Sequence, residues 1–138
     1  MSRVSVIAAL CGLSLCAQAQ TTPGVHDRVR VSFARSVYEH CAADINREAP
    51  QPLLRAVVVL RVRLAQDGHW APEVMRENDE EPTLTRKALD SVATAEIPPD
   101  LPDEERDDLT MNGFVEAWLF QNNGHFALKS LAKPQRGL

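Results

Sequence analysis

Chemistry in this chain would come first from its imidazoles, its thiols and its clustered carboxylates. Histidine stands at positions 26, 40, 69 and 125. No two of these have the three- or four-residue spacing of metal ligands on one helix face, and no His-Glu-x-x-His run occurs. His40 and Cys41 are neighbours, so on a helix their side chains diverge by about 100° and form no direct nucleophile–base pair. The sequence has neither a Gly-x-Ser-x-Gly elbow nor a glycine-rich phosphate loop. Asp103-Glu104-Glu105-Arg106-Asp107-Asp108 offers oxygen ligands. It lacks the alternation and central glycine of an EF-hand loop, so it reads as a solvated surface or a face for a basic partner. No catalytic residue, metal site or cofactor is therefore assigned. His69 and His125, each following a turn, are the reserve candidates for a small enzyme.

Any such residue needs a scaffold, and the length of 138 residues allows one domain. With 19 acidic and 15 basic residues the formal charge is −4, which excludes a broad phosphate-binding surface and hence a nucleic-acid partner. The acidity is local. Residues 77–108 carry a net −9, while 20–76 and 109–138 each carry +2.

Residues 1–19 read as a secretory leader. Arg3 is its positive start, Val4–Cys16 its apolar run and Ala17-Gln18-Ala19 its cleavage pattern, leaving Gln20 as the mature start. The apolar run is shorter than the roughly 20 residues a bilayer requires, so no membrane span is expected after cleavage. A lipid anchor on Cys16 is disfavoured by the bulky Leu15 before it. The expected location is the periplasm. Cleavage removes Cys11 and Cys16, leaving Cys41 without an internal disulfide partner.

Val29, Phe33, Val37, Cys41 and Ile45 recur in steps of four and predict an amphipathic helix over 26–45, with Cys41 a buried, inert thiol. Pro50-Gln51-Pro52 closes that segment. Residues 55–65 alternate as a strand, with Val58, Leu60, Val62 and Leu64 on the core face and Val57, Val59, Arg61 and Arg63 opposite. Asp67-Gly68 makes a hairpin turn into a second strand over 69–76, where Pro72 marks an edge or a bulge. Asn78 to Pro82 begins a helix running to about 96, ahead of Pro98-Pro99. Three prolines and six acids in residues 98–112 predict a loop with at most a short helical turn over 102–109. A third strand spans 113–121 and a short fourth 125–131, separated by Asn122-Asn123-Gly124. The fold class is α+β. A two-layer sandwich packs a small antiparallel sheet of three or four strands on two helices, in the order α-β-β-α-β-β. The divisions are 1–19 leader, 20–52 helix and proline linker, 53–132 main domain and 133–138 tail.

Trp70, Trp118 and Phe120 are expected mainly in the core. Trp118 shares its strand face with Glu116, so that face is expected to be half-buried. Trp118 is then the aromatic best placed to line a binding surface. The remaining opportunity is the sheet edge, whose unpaired backbone groups accept an extended peptide without any side-chain motif.

Residues 54–121 resemble the C-terminal domain of TonB, the bacterial envelope energy transducer, and the related TolA fold. Leu54 to Val62 is similar to the family's first strand, and Asp67-Gly68-His69-Trp70-Ala71-Pro72-Glu73-Val74 to its turn and second strand. Leu84 to Ile97 with Pro98-Pro99 is similar to its helix, and Gly113 to Phe120 to its last main strand. Where the family opens with Tyr-Pro this chain has Ala49-Pro50, and the family's membrane helix and proline-rich spacer have no counterpart here. The resemblance implies a non-enzymatic periplasmic module that binds a protein or peptide by strand addition. It points to Phe114, Val115, Glu116, Ala117, Trp118, Leu119 and Phe120 as the pairing strand. A self-associating envelope protein, possible as a homodimer, is the alternative, and a small periplasmic enzyme the third.

Overall fold

The valine-rich run becomes β1, Ala56–Leu64, and every second side chain along it is buried. A computed structural model of the chain describes residues 25–135. The expected leader, Cys16 and the last three residues of the tail lie outside them. β1 turns at Asp67-Gly68 into β2, Trp70–Arg76, with Gly68 supplying the positive φ of 85°. β3, Phe114–Phe120, lies antiparallel on the other side of β1, and β4, Phe126–Leu128, antiparallel to β3. The sheet order is β2-β1-β3-β4. The pairing of β1 with β2 shifts register between Val59 and Leu60, where Met75 is the extra residue of a bulge in β2.

Three helices cover one face of this sheet. They are α1, Val25–His40; α2, Pro82–Thr94; and α3, Asp103–Met111. Val29, Phe33 and Val37 of α1, Leu84, Ala88 and Val92 of α2 and Leu109 of α3 meet Val58, Leu60 and Val62 in a single core. Each of the valine, leucine and phenylalanine side chains among them contributes about 1.5–3 kcal/mol by leaving water. Phe33 is the hub, with ring centroids 5.1 Å from Phe114, 5.7 Å from Trp70 and 6.2 Å from Trp118, all edge-on. The two-layer α+β architecture is as expected.

Local elements differ in three places. α1 ends at His40, and a 3₁₀ turn over Ala42–Asp44 follows. Ile45 thus leaves the helix while keeping its buried place, bridging in parallel to Phe126. Residues 103–111 form a full helix rather than loop. Its prolines stand at or before the N-cap and Asp103, Glu104 and Glu105 occupy the first turn, where carboxylates suit the positive end of the dipole. β4 is only three residues long, because Lys129 onward turns back, with the N–H groups of Leu131 and Ala132 donating to Leu128 O.

Candidate functional site

Alternation along β3 sends Phe114, Glu116, Trp118 and Phe120 into the helix-covered face and Val115, Ala117 and Leu119 to the other. The expectation of a half-buried face at Trp118 is corrected. Trp118 is fully buried, and its indole N–H donates to Ser91 Oγ at 2.9 Å. Glu116 misled the reading because a carboxylate suggests solvent, yet it is only 3% exposed. Its carboxylate is satisfied locally. It accepts from the N–H of Ala117 at 2.9 Å, the N–H of Ser130 at 3.3 Å and the Ser130 hydroxyl. Burial pushes its pKa up, and the bonds from Ser130 and Ala117 only partly oppose that.

The backbone of β3 is engaged on both sides from Ala117 to Phe120, while Phe114–Glu116 pair with β1 alone. β1 pairs with the whole length of β3 and β4 with Trp118, Leu119 and Phe120. Beyond β4, the N–H of Lys129 donates to Ala117 O at 3.0 Å. The outer edge of β4 is closed as well. The N–H of Asn46 donates to Phe126 O at 2.8 Å, and the N–H of Leu128 donates to the Tyr38 hydroxyl at 3.1 Å.

Among the described residues β2 is the longest open edge, and from Ala71 to Arg76 its residues are exposed. The N–H of Ala65 donates to His69 O, so the antiparallel alternation makes Arg63–Ala71 and Arg61–Glu73 the hydrogen-bonded pairs. Trp70, Pro72 and Val74 consequently turn their backbone groups outward. Pro72 has no N–H to offer, which is why a proline is tolerated there. Val74 and Met75 add exposed apolar side chains, 38% and 50% accessible.

The sheet face away from the helices carries Val57, Val59, Ala117 and Leu119, flanked by Arg76, Lys129 and Lys133, around a groove of about 450 Å³. A larger groove, about 610 Å³, separates α1 from residues 96–99; Asp27, Glu39 and Glu96 face Arg28 and Arg35 there, so its walls select neither sign of ligand.

The histidines are dispersed. His69 and His125 belong to the β1–β2 and β3–β4 turns, which the register puts at opposite ends of the sheet. His26 hydrogen-bonds Asp108, and His40 lies 3.4 Å from Glu96. Asp108 is held below the usual carboxylate range, first by Asn112 and then by His26. Cys41 is half-buried rather than buried, with Sγ 3.6 Å from Thr94 Oγ1. Among the described residues no group of three His, Cys, Asp or Glu could hold a metal ion, and no helix is long and apolar enough to cross a membrane. Comparison of the chain with protein-family models, curated proteins and solved structures found no match.

Proposed function

We propose that the protein is a non-enzymatic, TonB-C-terminal-like binding module of the bacterial periplasm that takes an extended segment of a protein partner along a sheet edge. The observation that carries this reading is the state of the edges. β4 and the Ala117–Phe120 part of β3 are closed by bonds within the chain, leaving only the short start of β3 at Phe114–Glu116 without an outer strand, whereas β2 offers outward backbone groups at Trp70 and Val74, and the carbonyl of Pro72. Pairing along the length of β3 would first require residues 126–129 to leave Ala117–Phe120; pairing along β2 requires no such step. Pro72 and the adjacent bulge shorten the usable edge, so the partner contributes a short strand rather than a long one.

The test is capture of a partner from envelope extract, followed by hydrogen exchange of the complex. Slowed exchange at the Trp70 and Val74 amides is expected. Val74→Pro, which removes an outward N–H, should abolish capture without unfolding the protein. Pro72→Thr, which restores one, should tighten it. Protection confined to 114–120, or no protein retained at micromolar concentration, overturns the reading.

A further inference from the structure

We infer that the open face of the sheet is a second recognition surface, which takes an acidic, apolar-rich segment of a protein partner. The inference rests on the binding-module reading and adds the chemistry of what is bound. A sheet in a two-layer domain needs only one apolar face, and the other is ordinarily polar. Here the second face carries Val57 and Val59 on β1 and Leu119 on β3, and no helix covers them. They form the floor of the 450 Å³ groove.

Charge distinguishes this groove from the rest of the molecule. Arg76 stands on its β2 side and Lys129 and Lys133 on the β4 side, and no carboxylate lines it. Among the described residues none of these three cations pairs with an acid. Arg35, Arg47, Arg61, Arg86 and Arg106 are likewise unpaired, but the other grooves of the surface each carry a carboxylate among their walls. The chain has four more acids than bases and only three lysines, and two of those lysines are here. An uncompensated positive rim over an apolar floor attracts and orients a segment of opposite charge.

Other occupants fit less well. A second copy seated face to face about a two-fold axis would set three cations against the same three. A membrane surface is ordinarily read by clusters of about four to eight basic residues, more than this rim holds. A small anion would leave the apolar floor unused. An extended segment mixing leucine or valine with aspartate or glutamate satisfies both the floor and the rim.

The probe is a fluorescein-labelled twelve-residue peptide alternating leucine and glutamate, measured by anisotropy against its leucine–lysine counterpart. Saturable binding of the acidic peptide only is expected, weakening about tenfold or more between 50 and 300 mM salt. The double variant Lys129→Glu, Lys133→Glu should weaken binding about tenfold or more, while Arg35→Glu on α1 leaves it unchanged. All three positions are exposed, and circular dichroism verifies the fold. Equal binding of both peptides, or indifference to the double reversal, overturns the inference. So does a concentration-dependent dimer, or vesicle binding by phosphatidylglycerol, that the reversal abolishes. Loss with Val74→Pro but not with the reversal assigns the peptide to the β2 edge, which sinks the groove and leaves the edge reading standing.

Discussion

Ser130 donates both its backbone N–H and its hydroxyl to the carboxylate of Glu116, fourteen residues earlier in the chain. The contact fastens the turn after β4 to the middle of β3 and explains how a charged side chain sits almost wholly inside. Ionised Glu116 is held at a cost, because burial favours its protonated form. The folded state therefore binds this proton more tightly than the unfolded chain. Stability from this site is full below the ordinary glutamate value of 4.5 and is lost as pH rises through the higher folded value. Urea midpoints across pH 4 to 7 should fall with rising pH in the native protein and fall less in Glu116→Gln. Parallel curves would show that Glu116 is not the group responsible. Glu116→Ala should cost about 1–3 kcal/mol near pH 4, since the amides of Ala117 and Ser130 lose their acceptor, and less as pH rises.

Trp118 and Ser91 form the polar contact that lets an indole lie at the centre of the core. Ser91 Oγ accepts from Trp118 at 2.9 Å and itself donates to Ala88 O at 2.6 Å. Ser91→Ala should destabilise by about 1–3 kcal/mol, the cost of a buried N–H without a partner. Trp118→Ala should cost about 3–5 kcal/mol through the cavity it leaves. Denaturant melts read both, and a Trp118→Ala protein as stable as the native one would mean that the indole is not in the core.

Two turn glycines separate conformational need from steric need. A Cβ on Gly68, at φ 85°, meets nothing within 4 Å, so Gly68→Ala should cost about 1–2 kcal/mol for its left-handed backbone alone. A Cβ on Gly113, at φ 63°, would fall 2.2 Å from Val62 O, so Gly113→Ala should cost more, about 3 kcal/mol or beyond. Similar thermal shifts for the two would contradict the close approach of α3's end to β1.

Neighbouring positions on β1 test its register. Val62 is fully buried, and Val62→Ala should lose about 1–3 kcal/mol. Arg63 points to the open face and pairs with Glu73 at 2.7 Å, so Arg63→Ala should change stability by less than about 1 kcal/mol. Equal losses in urea would mean that the strand is shifted by one residue.

Much of this fold was legible because burial follows period. The even-numbered residues of β1 and the Val29–Phe33–Val37 stripe declare their faces without help from distant groups. α3 was not legible, since only Leu109 marks a buried side and the acids and prolines that resemble a loop stand at the one end of a helix that favours them. The face of β3 was not legible because the Glu116 carboxylate is satisfied by hydrogen bonds from Ser130, a partnership that local pattern does not announce. The free edge was illegible for a related reason. Whether β3 is open depends on three residues of β4, and whether β4 is open depends on Asn46 and Tyr38, far away in sequence. The lysines of the open-face groove were visible as residues, but that no carboxylate shares that groove is a property of the folded surface.

The closure of β4 by Asn46 and Tyr38 also limits stoichiometry. A fibre of strand-paired subunits needs two complementary edges on each copy, one to receive and one to offer. If a partner strand adds along β2, the closed edge of β4 offers no second site for growth, and addition ends after one event, giving a one-to-one complex or at most a closed pair. Growth of the sheet beyond β4 is therefore blocked, and a variant that frees Phe126–Leu128 would be the one prone to grow chains.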